Sequence, residues 1–247
     1  MIKNKLWTLL AVVGLFTACK FTEEIHFKED GSGRVDIYMD GSEILATMAG
    51  MDTTGTMQYM DSTLVFKELL ELEKDSIAQL PEEEQAKLKK LAPFSLRMVM
   101  DPEEETLRFN LFSTFKNVTE INDAYSAFQE AGSMGNVSGA EAMPESMELP
   151  PLTAEVSYAF ENNTFTRSTS GLGENEMEQS VDSLGITQMF LSGATYTFKY
   201  HFPRRIKSVN VEGALFSMDG KSMVYEVNFK ELLENPEPNH IEVVLED

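Results

Sequence analysis

Over much of the chain apolar and polar residues alternate with period two, the spacing of strands that turn one face to a core and the other to water. Ile25 and Phe27 alternate with polar neighbours, Asp30-Gly31-Ser32-Gly33 supplies a turn, and Val35, Ile37 and Met39 alternate again, so 24–39 predicts a hairpin with one wet face. Phe94, Leu96, Met98 and Met100, followed by Leu107, Phe109 and Leu111, predict a second hairpin with Asp101-Pro102-Glu103 in its turn. The pattern returns in 152–160, 164–168, 195–203, 206–211, 214–218, 222–229 and 240–246, where Asp219-Gly220 is a strong hairpin signal.

Three stretches read as helices instead. Asp61 or Ser62 can cap a helix running to about residue 78, with Phe66, Leu69, Leu70, Ile77 and Leu80 on or near one face. Pro81 opens a second, with Glu82, Glu83 and Glu84 in its first turn, Lys87, Lys89 and Lys90 toward its end, and Pro93 as its stop. Asn117 and Glu120 open a third, with Ile121, Ala124, Tyr125 and Phe128 as its apolar stripe and Gly132 at its end. Residues 42–60 read as a short helix or loop, 169–193 as an acidic Gly/Ser stretch with a helical turn near 176–184, and 132–151, rich in Gly and Pro, as a flexible loop or linker. No repeat appears. The expected fold class is α+β: antiparallel hairpins or a meander sheet packed with three or so helices. Residues 25–131 and 152–247 are expected to share one domain.

The beginning of the chain is different. Lys3 and Lys5 precede an uncharged run from Leu6 to Ala18, the n-region and h-region of a secretory signal, too short for the ~20 apolar residues of a spanning helix. The run ends in Leu15-Phe16-Thr17-Ala18-Cys19, which resembles the lipobox of bacterial lipoproteins, with Phe16 where Leu or Val is usual. The resemblance implies that 1–18 is a signal peptide and that Cys19, the sole cysteine, is acylated as the first residue of the mature chain. Lys20-Phe21-Thr22-Glu23-Glu24 then resembles the export signal of surface lipoproteins of Bacteroidota, a solvated, lipidated tether over 19–24 being the alternative. Either way the expected location is the outer membrane or cell surface, or its periplasmic face.

The composition narrows the partners. With 41 acidic residues against 20 Lys and Arg, the formal charge is −21, which repels phosphate backbones and anionic headgroups and excludes a nucleic-acid binder. Membrane attachment then falls to the acyl chains, at ~0.8 kcal/mol per buried methylene. A mass of 27.8 kDa with 42% hydrophobic residues buries a core without disulfides or a structural metal.

The segment Thr195 to Glu246 has a shape of its own: Tyr196-Thr197-Phe198-Lys199-Tyr200-His201-Phe202, then Pro203, then Ile206-Lys207-Ser208-Val209-Asn210, a DG hairpin, and a last strand from Ile241 to Leu245. It resembles LppM-type bacterial lipoproteins, as does the early Asp-Gly hairpin 24–39, although Arg204 stands where that family favours glycine. The resemblance implies one α+β domain formed by the N-terminal hairpin and C-terminal strands, with 60–150 inserted, and it does not imply an enzyme.

Catalytic patterns are lacking. His26, His201 and His240 are far apart in sequence and read as solvent-facing, because zinc ligands usually come in pairs spaced by two to four residues; no metal or other cofactor is expected. Met48 and Met51, then Met57 and Met60, form two M-x-x-M pairs; without Cys or His beside them they read as adaptable apolar packing, or as the lining of a hydrophobic ligand groove, rather than a Cu(I) site. The runs Glu82–Glu84 and Glu103–Glu105 read as solvated charge, Asp30 to Asp36 lacks the closing acid of a calcium loop, and neither a G-x-S-x-G elbow nor a nucleotide fingerprint occurs. The function expected is a non-enzymatic binding or scaffold lipoprotein with an envelope protein or lipid as partner. The alternative is a carrier or sensor of a hydrophobic ligand in a sheet-helix groove near Met48 to Leu80, and an envelope hydrolase is the third reading.

Overall fold

Alternation in the first hairpin is realised residue by residue in a computed structural model, which describes residues 20–43, 45, 58–122, 156–169, 193–228, 231 and 240–247. Strands β1 (Lys20–Phe27) and β2 (Gly33–Asp40) pair antiparallel with Phe27 opposite Gly33. Gly31 adopts φ +80°, and Asp30 Oδ1 accepts from the Ser32 amide at 3.0 Å and the Ser32 hydroxyl at 2.6 Å, so the turn is closed by its own side chains. Gly33 is required for another reason. A Cβ there would run into the His26 carbonyl oxygen and the Phe115 ring, which already occupy the space.

Around this hairpin the chain adds β3 (Met60–Val65), β4 (Ser95–Asp101), β5 (Thr106–Phe115), β6 (Val156–Glu161), β7 (Thr164–Thr169), β8 (Thr195–His201), β9 (Ile206–Val209), β10 (Leu215–Phe216), β11 (Ser222–Asn228) and β12 (Ile241–Leu245). They form an eight-stranded sheet in the order β10-β11-β8-β1-β2-β5-β4-β3 and a four-stranded sheet in the order β6-β7-β12-β9. Every described pairing is antiparallel except β1 with β8, which run parallel and place His26 beside His201.

The two sheets bury their apolar faces against each other. Ile25, Val35, Leu111, Phe198 and Tyr200 of the larger sheet, and Phe165, Ile241 and Val243 of the smaller, are wholly shielded from solvent. Aromatic rings make much of the seam: Phe27 lies 5.1 Å from both Phe160 and Phe165 and stacks on Phe202 at 5.4 Å. Such rings contribute large apolar areas and specific edge or offset contacts.

Helices are short: α1 (Phe66–Leu72), α2 (Lys74–Ile77), α3 (Glu82–Lys90) and a 3₁₀ turn at Val118–Ile121. About half of the described residues lie in strands, so the protein is mainly β rather than the α+β fold expected. The reason is visible at the first expected helix. Asp61 and Ser62 do not cap it; Met60–Val65 pair with β4 instead, and Asp61 takes both Nε (3.0 Å) and Nη2 (2.8 Å) of Arg97. Strand pairing here overrides the local capping signal, and α1 starts at Phe66 behind Val65, which offers no side-chain cap. The second helix stands where Pro81 and its charges predict, with Glu83 paired to Lys87 at 3.0 Å. Of the third, the described part is the 3₁₀ turn, where Asn117 Oδ1 accepts from the Thr119 amide at 3.0 Å and Glu120 from the Lys116 amide at 3.1 Å. Lys20 to Glu24, expected as tether or export signal, are the first half of β1. The expected loop 132–151 and the turn near 176–184 lie outside the described residues.

Candidate functional site

Pleating turns Ile25 and Phe27 into the core and Glu24 and His26 to the outer face of the larger sheet. Because β1 and β8 run parallel in register, Glu24 comes beside Lys199 and His26 beside His201; on the other side they face Asp36 and Arg34 of β2. Two histidines 175 positions apart thereby stack, ring centroids 4.0 Å apart and planes within 1°. Glu24 reaches both with one atom. Its Oε1 lies 3.1 Å from His26 Nε2 and 2.9 Å from His201 Nε2. On the far side of the second ring, His201 Nδ1 lies 2.9 Å from Ser222 Oγ of β11. Burial holds the His201 imidazole below its ordinary pKa of 6.5, and the neighbouring His26 adds to this; the Glu24 carboxylate pulls the other way.

The adjoining positions on β2 and β5 compensate one another. Arg34 grips Asp36 through Nε and Nη2, both at 2.6 Å, Asn110 Nδ2 adds a bond to Asp36 Oδ1 at 3.1 Å, and the guanidinium sits 4.5 Å above the Phe112 ring. This bidentate bond raises the Arg34 pKa further above its already high value. Tyr38, with burial and the Asp36 charge as causes, also has a raised pKa.

A second polar cluster is internal. Glu23 points into the seam at 0% exposure, where Arg167 Nε of β7 donates to Oε2 at 3.1 Å, Tyr196 to Oε2 at 3.2 Å and Tyr200 to Oε1 at 2.7 Å. Arg167, 2% exposed, also lies 4.8 Å over the Phe198 ring. Tyr158 is buried alongside, its hydroxyl near enough to Glu23 and Arg167 to feel both charges. Burial, then the negative charge of Glu23, holds the phenols of Tyr158 and Tyr200 well above their ordinary pKa.

Other residues singled out from the sequence are scattered. Cys19, Met48, Met51 and Met57 lie outside the described residues, while Met60 begins β3, half-buried against the core. His240 stands apart from the other histidines, its Nδ1 3.2 Å from Ser168 Oγ. Glu82–Glu84 are exposed in the first turn of α3, and Glu103–Glu105 are exposed in the turn between β4 and β5. Reading ligand spacing along one strand missed the pair His26 and His201. The signal that finds it is a repeated His-Phe dipeptide, His26-Phe27 and His201-Phe202, whose phenyl rings stack as the imidazoles do.

No family profile and no curated protein matches the chain. Among solved structures it is similar to the folded domain of the Mycobacterium tuberculosis protein LppM, determined by NMR, at a TM-score of 0.42 and 8% identity, over 92% of this chain and 89% of that one.

Proposed function

We propose that the chain is a lipid-anchored envelope lipoprotein whose β-sandwich works as a non-enzymatic binding or scaffold module, presenting the outer face of its larger sheet to another envelope component. The observation that carries this reading is the absence of slack: the apolar leader ends at Ala18-Cys19, and β1, paired on both sides within the larger sheet, starts at Lys20. An acyl group on Cys19 would enter the bilayer one peptide bond from the fold and hold the Lys20 end of the sheet at the headgroups. At ~3.3 Å per residue, Glu24 and His26 then stand about 13 and 20 Å from that end. The acidic surface favours an acyl anchor over charge-driven membrane binding. The largest buried polar groups, Glu23 and Arg167, satisfy each other between the sheets, which is a structural employment.

The test is metabolic labelling with palmitate. Wild type is expected to take up label and float with membranes, whereas Cys19→Ala is expected to do neither. Equal labelling of both chains would end the anchor reading. The binding reading expects phenotype loss to be spread over outer-face positions such as Tyr38, Phe112 and Val224, each substitution costing part of it.

A further inference from the structure

We propose that Glu24, His26 and His201 form a divalent transition-metal site, of the kind that takes Zn²⁺, on the outer face of the larger sheet. The three ligand atoms lie within 4.8 Å of one another, and both imidazoles turn the same nitrogen, Nε2, toward one carboxylate oxygen. Two neutral imidazoles and a carboxylate are a ligand set zinc uses, with bonds of about 2.0–2.2 Å and a fourth position left for water. Contacts of 2.9 and 3.1 Å are those of hydrogen bonds; one divalent cation can replace them once the Glu24 carboxylate moves outward and the two stacked rings tilt out of parallel so that their Nε2 lone pairs converge.

Further features of the setting favour a cation. His201 Nδ1 meets Ser222 Oγ at 2.9 Å, and when it donates there, the tautomer leaves the Nε2 lone pair free and aimed at the site, the outer-shell arrangement typical of metal-bound histidine. His26 is about half exposed, at 52% of its side chain, against 32% for His201 and 23% for Glu24, so the site opens to solvent and an ion can enter. The nearest cations are accounted for: Arg34 is held by Asp36, leaving Lys199 as the opposing charge on β8 against Glu24 and a chain of net charge −21. Backbone pairing of β1 with β8 holds the strands that carry the ligands side by side, so the ion has only side chains to rearrange.

The experiment uses the full-length chain in detergent, stripped with EDTA, and titrates Zn²⁺ by calorimetry, with nitrogen-15 NMR of the histidine side chains on the same sample. One equivalent is expected to bind, the Nε2 signals of His26 and His201 shifting while Nδ1 of His201 stays protonated. His26→Ala, His201→Ala and Glu24→Gln are each expected to weaken binding at least tenfold, and Ser222→Ala by on the order of tenfold. Circular dichroism of the exposed His26→Ala variant provides the folding control. Absence of binding at millimolar Zn²⁺, or unchanged affinity in a folded His26→Ala/His201→Ala double variant, would overturn the site. Neither result bears on acylation of Cys19.

Discussion

Removing the positive half of the buried Glu23–Arg167 pair is the sharpest perturbation of the seam. At 3.1 Å and an effective dielectric of ~20, their direct attraction is about 5 kcal/mol, against a desolvation cost of several kcal/mol for each ion. In Arg167→Met the Tyr196 and Tyr200 hydroxyls still donate to Glu23, but its charge stays at 0% exposure without a counter-ion. The expected loss is ~3–5 kcal/mol, a large part of the ~5–15 kcal/mol that holds a domain together. For a chain of this size it lowers Tm by about 6–20 °C. Glu23→Gln in the same background removes the stranded charge while keeping an oxygen for the tyrosines, so the double variant is expected to recover most of the loss, to within ~1–2 kcal/mol of wild type. Urea unfolding followed by circular dichroism measures all four corners of the cycle. An Arg167→Met loss below ~1 kcal/mol, or a double variant as unstable as the two single losses added, would refute the claim that these charges depend on each other.

Alkaline pH provides a separate check on the same seam. Tyr158 and Tyr200 keep their protons in the fold at pH values where unfolded phenols, with pKa near 10, release theirs, so stability is level below about pH 10 and falls as pH rises above it. Phenolate absorbance should show exposed tyrosines ionising first and these two only as circular dichroism reports unfolding; one reversible step for all seven, with the fold intact, would contradict their burial. In the first hairpin, Gly33→Ala is expected to cost ~1–3 kcal/mol, because the new methyl meets a backbone carbonyl that cannot rotate away as well as the Phe115 ring. A midpoint of urea unfolding equal to wild type would show that β1 and β2 separate there at no cost.

What the sequence discloses follows the range over which its information acts. Strands 94–100, 107–111 and 222–229 are legible because each alternation and each turn, such as Asp219-Gly220 with φ +70° at the glycine, is written within a few residues. Pairing of β1 with β8 joins segments some 175 residues apart, so neither the stacked histidines nor the Glu24 contact to both has a local signature beyond the His-Phe repeat. Asp61 and Ser62 mislead for the complementary reason: as caps they satisfy a local rule, while Arg97 and β4, which claim them, are 36 residues away. Glu23 and Arg167 are legible only in hindsight, as charges standing in the phase of Phe21, Ile25 and Phe165, where apolar residues belong.

The central place of β1 has a mechanical side. Whatever holds residue 19 pulls along the axis of a strand bonded to β2 on one edge and β8 on the other, over eight and seven register pairs. Hydrogen bonds in the antiparallel ladder lie across that pull and those in the parallel ladder at a slant to it. Load applied from the N-terminal end is therefore shared by both rows in shear, rather than peeling one bond after another as it would at an edge strand such as β10. A tether at residue 19 would load the strand best placed to resist being drawn out.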